Sequence, residues 1–473
     1  MFFRSIVSVL KSGAILMVVS FAVSVTSAFA SPPPRIHITQ GRVKPDPIAF
    51  VQPHGNSQEA AEIGAVFIEI IRRNFCSCGA FSSVSNKLFI QDSATLARTE
   101  PRMADWQLIK ARFLICGAVE AASGGYKVTV RVYDINCKQK LLVFSVIVNK
   151  ANLRKAAHMA SDQIYTRLTG EKGMFNTQIT YIEPVASERR GRSGVSYRRT
   201  LKKMDQDGAN CVALTDGRDL VLTPRYSPDG KTIAFLRYRT ERVGGRNKRM
   251  AHVALVDVAT KKVTPLLTPA HFKAISQANG GAEVNMTYAP RFSPDGKFLC
   301  FSLIIDGKSA IYTISRDGSN VRRLTTPVSI DTSPAYSADG RKIVFTSDRS
   351  GKEKIYIMNT DGTNVMRITS NEGKYSQPVF SPRGDLIAFS KQIGNQFFIG
   401  VVQPNGQGER LIVQAGMAEA PQWSPNGRYI IFTRQTTMSA PRRICIIDLT
   451  GLFMREIQTP GEAYDAYWSP LLQ

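Results

Sequence analysis

A five-residue string that recurs about every 44 residues constrains the fold of this chain more than any other feature. Its serines stand at positions 227, 293, 337, 381, 424 and 469, with the last copy truncated. Each complete copy precedes a β-prone run, and a second Asp-Gly turn signal follows in the best-preserved copies. Four strands in such a period are typical of a propeller blade. The complete copies are Tyr226-Ser-Pro-Asp-Gly230, Phe292-Ser-Pro-Asp-Gly296, Tyr336-Ser-Ala-Asp-Gly340, Phe380-Ser-Pro-Arg-Gly384 and Trp423-Ser-Pro-Asn-Gly427.

The number of copies predicts six blades over residues 177–473. The first blade begins near Gln178, and Trp468-Ser-Pro470 has the sequence of an innermost strand with no blade after it. Pairing these two ends would close the ring and leave few open strand edges. The strings themselves are interpreted as hairpin turns, because Asp or Asn bonds its own backbone and Gly accepts positive φ.

Residues 46–172 mix helix and strand signals and predict a small α/β domain. Asp46–Val51 is typical of a strand, and Asn56 is a plausible helix N-cap with Glu59 three residues later. Three successive strands are expected over 111–120, 126–134 and 141–148. A helix is expected over 151–168, with Gly170 at its end. The predicted fold class is an α/β N-terminal domain followed by an all-β six-bladed β-propeller.

The first 30 residues have the pattern of a secretory signal peptide, with Arg4 before an apolar run over 14–23 and small residues at Ala28 and Ala30. Cleavage is expected between Ala30 and Ser31. A transmembrane anchor is the alternative, but the strongly apolar part is nearer ten residues than the roughly 20 that a span needs. The net charge of +24 favours acidic partners. A location outside the cytoplasm argues against nucleic acid.

Catalytic and metal-binding motifs are poorly supported. The five histidines are dispersed, and the chain contains no GxSxG, Walker or dinucleotide-binding motif. Asp205-Gln-Asp-Gly208 resembles part of a calcium loop but lacks its remaining ligands, so a turn is predicted. Cys300 and Cys445 are expected in the core, and a Cys116–Cys137 bridge is left open. No catalytic residue, cofactor or metal is expected.

The leader, the α/β domain and the six-fold run together resemble the TolB family of the periplasmic Tol–Pal system. The resemblance covers the mature chain and is strongest over 157–173, Ala-His-Met-Ala-Ser-Asp-Gln-Ile-Tyr-Thr-Arg-Leu-Thr-Gly-Glu-Lys-Gly. It implies a non-catalytic periplasmic protein that binds the lipoprotein Pal through the propeller and TolA through its N-terminus. Other outer-membrane lipoproteins are further possible partners. The implied role is outer-membrane integrity and constriction during cell division. The alternative is a periplasmic propeller enzyme or glycan-binding protein that uses the central channel.

The family's TolA contact maps to the segment 31–45. Its β-prone part is Arg35, Ile36, His37, Ile38 and Thr39. Ser31-Pro-Pro-Pro34 precedes this part and departs from the family pattern.

Alternating strand direction divides the propeller into two faces. The Asp-Gly turns emerge on one, here called the turn face, and the inter-blade links and variable loops on the other, the link face. Insertions at Arg239–Arg249, a basic variable loop, and 269–286, a link, are expected to enlarge the link face. The family's Pal contacts map to links that precede the innermost strands, with Thr332 in a Thr-x-Pro pattern and His271 in a preceding link. The expected contact residues are Tyr288, Ala289, Thr332, Ser333, Ser376, Gln377, Glu419, Ala420 and His271, with Asp465 and Ala466 in the last copy.

Overall fold

The computed structural model describes residues 44–184, 198–243, 246–437 and 439–472. The expected signal peptide, the cleavage site at Ala30 and Ser31 and the segment Arg35–Thr39 lie outside these ranges. The N-terminal part contains β1 (Asp46–Phe50), β2 (His54–Gly55), α1 (Gln58–Cys76), β3 (Phe81–Ser83), a 3-10 turn (Asn86–Leu88), α2 (Ser93–Arg98), α3 (Met103–Leu108), β4 (Phe113–Ala122), β5 (Gly125–Asp134), β6 (Gln139–Val148) and α4 (Leu153–Thr169).

These elements form an α/β domain around one sheet. The strand order is β3-β1-β4-β5-β6, with β2 paired to β4. The apolar stripe of α1, including Phe67 and Ile71, is buried in one cluster with sheet residues such as Val130. The predicted N-cap is wrong by one position. Ser57 has the extended backbone of an N-cap, and its Oγ accepts a hydrogen bond from the Ala60 N–H at 3.2 Å.

The remaining strands are short and regularly spaced. They are β7 (Gln178–Pro184), β8 (Arg199–Asp205), β9 (Val212–Ala213), β10 (Leu220–Tyr226), β11 (Thr232–Val243), β12 (Arg246–Asp257), β13 (Val263–Pro265), β14 (Val284–Phe292), β15 (Phe298–Ile305), β16 (Lys308–Ser315), β17 (Arg322–Arg323), β18 (Asp331–Tyr336), β19 (Lys342–Ser347), β20 (Lys354–Asn359), β21 (Met366–Arg367), β22 (Lys374–Phe380), β23 (Ile387–Ile393), β24 (Gln396–Val402), β25 (Arg410–Ala415), β26 (Met417–Trp423), β27 (Tyr429–Gln435), β28 (Arg443–Asp448), β29 (Met454–Glu456) and β30 (Tyr464–Trp468); one helix, α5 (Pro269–Ala278), lies between β13 and β14.

These strands form six four-stranded sheets, so the predicted six-bladed propeller is confirmed. Blade 1 has the order β30-β7-β8-β9, and blades 2 to 6 follow in chain order from β10 to β29. Blade 1 therefore joins the two ends of the propeller. Trp468 pairs with Ile179, and its Nε1 donates to the Thr177 Oγ1 at 2.7 Å. This pairing is the predicted ring closure.

The repeated strings are turns, as predicted, and blade 4 shows their chemistry. The Ser337 Oγ donates to the Asp339 Oδ1 at 2.6 Å, and the same oxygen accepts from the Arg341 N–H at 3.0 Å. Gly340 has a φ of 71°, which glycine adopts at little cost. The Ser337 hydroxyl, the Asp339 carboxylate and the Arg341 N–H thus bond within the turn, so the local sequence favours a hairpin.

The first insertion differs from its predicted structure, whereas the second lies in the link between β13 and β14, as predicted. Arg239–Arg249 does not form a loop, because β11 and β12 continue in register to the pair Val243 and Arg246 and make a long hairpin. The other insertion forms α5. Its N-cap is Thr268, which forms a capping box with His271, and Pro269 stands at the first position of the helix.

The cysteines form no disulfide among the described residues. Cys116 is buried, which raises the pKa of its thiol to about 11, whereas Cys137 is exposed. Cys300 and Cys445 are buried in β15 and β28, as predicted. Across the described ranges, no helix combines the length and the apolar character that crossing a membrane requires.

Candidate functional site

Each innermost strand of the propeller carries a bulge with one non-glycine residue in the left-handed conformation. The φ values of these residues lie between 46° and 55°. The pairing register shifts at the same point of the strand in all six blades. Non-glycine residues adopt such backbones rarely, and they cluster at sites that the surrounding structure fixes. The six residues are Thr223, Ala289, Ser333, Gln377, Ala420 and Asp465.

The bulges correct the predicted position of the contact residues. Tyr288 and Ala289, Thr332 and Ser333, Ser376 and Gln377, and Glu419 and Ala420 lie inside β14, β18, β22 and β26, not in links before them. The sequence carried a signal for this arrangement. A proline follows the left-handed residue in five blades and lies three residues before the serine of the string. Proline lacks an N–H and is tolerated at bulges, where the hydrogen-bond ladder is interrupted. The same signal identifies Thr223, which the sequence analysis missed.

Hydrogen bonds join the bulged residues of two pairs of neighbouring blades. The Gln377 Oε1 accepts from the Ala420 N–H at 2.7 Å, joining blades 5 and 6. The Asp465 Oδ2 accepts from the Thr223 N–H at 2.5 Å, joining blades 1 and 2. These bonds run between residues 43 and 242 positions apart in the chain. The structure therefore brings the predicted residues of the innermost strands into one ring, here called the bulge ring, on the link-face half of the channel.

Thr332 is the best-supported member of this surface. Its neighbour Asp331 is fully buried, and the carboxylate accepts two hydrogen bonds from the Arg349 Nη2 at 3.0 and 2.8 Å. Ser333 on the other side is fixed by the bulge. Thr332 itself is half-buried, so part of it faces solvent. The result is a partly exposed side chain on a backbone that is anchored on both sides.

Glu419 gives the bulge ring an acidic component. Burial raises the pKa of its carboxyl group, the nearby Asp465 carboxylate acts in the same direction, and Arg442 opposes both. A group of this kind is sensitive to the charge of a ligand that covers it.

His271 lies apart from the bulge ring. It belongs to α5, where its Nδ1 accepts from the Thr268 N–H at 3.0 Å. Its Nε2 lies 2.9 Å from the Gly318 carbonyl oxygen, in the turn between β16 and the outermost strand of blade 3. Asn279, at the end of α5, bonds Arg323 of that outermost strand at 2.7 Å. The second insertion thus packs on the outer edge of blade 3, because Phe272 and Ile275 are buried against the blade core.

The first insertion does extend the link face. The strands β11 and β12 leave the blade on that side, and the exposed Arg239 contacts Asp219 at 3.9 Å. The side chains of Arg242, Arg246, Lys248 and Arg249 lie outside the described part of the structure.

Family models match both parts of the chain. The model of the TolB amino-terminal domain matches residues 34–141, and the model of the TolB β-propeller domain matches residues 165–472. This chain belongs to the TolB family. It is 40% identical to the Tol-Pal system protein TolB of Rickettsia bellii (strain OSU 85-389), over 92% of this chain and 95% of that protein. It is 38% identical to the Tol-Pal system protein TolB of Rickettsia rickettsii (strain Iowa), over 97% of this chain and 99% of that protein.

A solved TolB structure has the same architecture. The crystal structure of TolB from Acinetobacter baumannii covers 90% of this chain with a TM-score of 0.75, and 97% of that structure is covered in turn. The sequence identity is 26%. The order of α/β domain and propeller is therefore shared with this TolB structure.

The segment that most resembles TolB, 157–173, joins the two domains. Glu171 receives hydrogen bonds from Arg428 and from Arg383, the latter at 2.9 Å, and both arginines belong to the propeller. Burial opposes ionisation of Glu171, but these two arginines outweigh it and lower the pKa. Arg154 reaches from α4 to Asp207 at 2.6 Å. Asp205-Gln-Asp-Gly208 is a turn, as predicted, and its carboxylates serve the domain contact.

Asp162 fixes the chain where it leaves α4. Its two carboxylate oxygens accept from the Phe175 N–H at 2.7 Å and the Asn176 N–H at 2.9 Å. A Cβ on Gly173 would lie 2.1 Å from the Asp162 Oδ1, so only glycine fits at that position. Burial outweighs these hydrogen bonds and raises the pKa of Asp162 to about 6.

We expect Asp162→Asn to remove a pH-dependent component of stability. A raised folded-state pKa means that the native state binds the proton more tightly than the unfolded chain, so this component is present below about pH 4 and is lost as pH rises through about 6. The unfolding free energy of the wild type minus that of the variant should fall by up to about 3 kcal/mol as the pH rises from about 4 to above 6. Denaturant unfolding at several pH values measures it. Parallel pH curves for the two proteins would contradict the assignment.

Proposed function

We propose that this protein is a non-catalytic periplasmic component of the Tol–Pal system. It binds the lipoprotein Pal through the propeller and TolA through the segment 31–45, and so supports outer-membrane integrity and envelope constriction during division. The observation that carries the Pal contact is the bulge ring. It supplies six fixed backbone positions around one mouth of the channel, with Thr332 partly exposed among them.

The bulge ring suits a protein partner for a physical reason. Association costs free energy when interface groups must be ordered, and a rigid surface reduces that cost. Hydrogen bonds between blades fix the ring at Gln377 with Ala420 and at Asp465 with Thr223. An inserted side chain or loop of Pal would thus meet preformed backbone, and Glu419 would favour a basic or hydrogen-bond-donating group. Other outer-membrane lipoproteins of the same surface chemistry are further candidates.

TolA contact is assigned to the N-terminal segment by the family resemblance and by its strand-forming sequence. Arg35–Thr39 alternates polar and apolar residues, which suits strand addition to the edge of a partner's sheet. Main-chain hydrogen bonds would supply affinity and alternate side chains specificity.

Deleting residues 31–42 should abolish TolA binding and leave Pal binding intact or stronger. The deletion removes the strand-forming segment but ends before β1 at Asp46, so both domains keep their described elements. Calorimetry of the deleted and the full mature chain against purified TolA and purified Pal measures both effects. If the deleted chain binds TolA with unchanged affinity, the proposal that the N-terminal segment contacts TolA is wrong.

A pull-down from envelope extract tests the proposed function against the glycan-binding or enzymatic alternative. The tagged mature chain should retain a Pal-type lipoprotein, and addition of purified soluble Pal should displace it. Retention of a saccharide without a lipoprotein would support the alternative and overturn the proposal.

A further inference from the structure

Six residues of the innermost strands form a ring inside the channel, on the turn-face side of the bulge ring. Each stands immediately before the aromatic residue of its string, two positions after the left-handed residue. The ring is uneven, because two neighbouring blades contribute arginine and two others contribute small or aliphatic side chains. Its members are Arg225, Arg291, Ala335, Val379, Gln422 and Tyr467.

The polar members of this ring converge near the axis. The Arg291 Nη1 of blade 3 donates to the Gln422 Oε1 of blade 6 at 2.6 Å. The guanidinium carbons of Arg225 and Arg291 lie 5.3 and 5.6 Å from the centre of the Tyr467 ring in blade 1. Side chains from four blades therefore meet, although the residues are spread over more than 240 positions of sequence.

Positive charge at this point exceeds its compensation. Arg225 is 4% exposed and contacts the Asp465 carboxylate at 3.3 Å. Arg291 is 7% exposed, and no carboxylate of the described residues forms an ion pair with it. Burial, together with the repulsion from Arg225, lowers the pKa of Arg291 to about 9, which keeps the group charged at neutral pH. Glu419 does not compensate it, since that carboxyl lies by Asp465 and Arg442. The Asp465 carboxylate also acts on Arg291, so two buried cations share one counter-charge, and such an arrangement is costly.

Two further donors at this point lack an acceptor. The Arg225 Nε and the Gln422 Nε2 are buried, and neither has a hydrogen-bond partner among the described residues. Gln422 is 1% exposed. Its amide oxygen is already used by Arg291, so the amide nitrogen is the group left to serve a ligand. Unsatisfied buried donors destabilise the fold, and an acceptor would remove that cost.

A cavity of about 330 Å³ leads from the turn face to this ring. Gln422, Val379 and Tyr467 belong to both the ring and the cavity lining. The rest of the lining comes from the aromatic, serine and proline residues of the strings. The cavity therefore brings a small solute to Gln422 and Tyr467, the two lining residues that contact the arginines.

We propose that the channel binds a small oxyanion, such as phosphate, sulfate or a simple carboxylate, between Arg225, Arg291 and Gln422. Guanidinium groups match the oxygens of such ions in bidentate geometry. The Gln422 amide supplies a further donor. This site adjoins the bulge ring through the contact between Arg225 and Asp465, but it does not depend on the proposed partners.

Inorganic phosphate is the first probe, with sulfate and acetate as parallel arms that separate tetrahedral oxyanions from carboxylates. Calorimetry of the mature chain in a buffer free of these ions should show saturable binding of at least one of them. Arg291→Gln should weaken that binding at least about tenfold, the equivalent of 1.4 kcal/mol. The matched control Arg218→Gln, at an arginine whose side chain is 84% exposed, should leave it unchanged.

Thermal unfolding provides a second readout, because a ligand that binds only the native state raises its stability. The melting temperature of the wild type should rise with the concentration of the bound ion, and that of Arg291→Gln should not. If Arg291→Gln does not fold, Arg225→Gln takes its place. Absence of saturable binding of all three ions by the wild type, or equal affinity in a folded variant, would overturn the proposal.

Discussion

Replacing Thr332 with tryptophan should weaken Pal binding by about 100-fold or more, an effect of about 3 kcal/mol. The added ring cannot be accommodated by backbone movement, since Asp331 is held by Arg349 and Ser333 by the bulge. Thr332 is half-buried at the surface, so the change introduces a clash with a partner and leaves the propeller core intact. Calorimetry of the mature chain against purified Pal measures the loss.

Asp339→Ala is the matched control on the opposite face of the same blade. It removes the acceptor of the Ser337 hydroxyl and the Arg341 N–H, which should cost about 1 kcal/mol of stability. Pal affinity should stay within about twofold of wild type, a difference of about 0.4 kcal/mol. Circular dichroism shows whether both variants are folded. If Asp339→Ala impairs binding more than Thr332→Trp does, Pal binds the turn face and the proposal is wrong.

Trp468→Ala should destabilise the whole propeller by about 3–5 kcal/mol, as expected for a large buried aromatic residue. The side chain is 3% exposed and packs in the cluster that contains Ile179 and Ala466. It also belongs to the strand that closes the ring, so its loss weakens the pairing of β30 with β7. Denaturant unfolding followed by circular dichroism gives the shift in midpoint.

Two further variants separate the packing of Trp468 from its hydrogen bond and from a general effect of substitution near the C-terminus. Trp468→Phe keeps much of the packing but removes the hydrogen bond to Thr177, which should cost about 1 kcal/mol in addition to lost contacts. Leu471→Ala changes a residue that is 37% exposed and should have little effect. If Trp468→Ala shifts the midpoint no more than Leu471→Ala, ring closure does not govern the stability of this propeller.

The blade count and the two-part architecture could be predicted from the sequence because their signals are local. The turn at Ser337 to Arg341 is complete within five residues, with its hydroxyl, carboxylate and glycine each in place. Repetition of the string, at about 44 residues in every blade except the longer second one, then predicted the number of blades, and the terminal Trp468 strand predicted how the ring closes. The family resemblance rested on the same features together with the junction at 157–173.

Other features depended on contacts between distant parts of the chain, and there the sequence analysis was wrong or silent. The Thr-x-Pro pattern at Thr332 was visible, but only strand pairing showed that it lies within β18 at a bulge. His271 was assigned to the contact face, yet burial of Phe272 and Ile275 holds its helix on the outer edge of blade 3.

The residues of the channel ring show most clearly which features require knowledge of the tertiary structure. Arg225, Arg291 and Gln422 share a position before the aromatic residue of each string, but their sequence does not show that they contact one another or that they are buried. Closure of the ring brings them within reach of one another and removes them from water. Turn chemistry is encoded in adjacent residues, and so the sequence by itself determined the propeller. The two arginines form a candidate binding site only because the fold buries them and brings them close together. That proximity is determined by the tertiary structure and not by the local sequence.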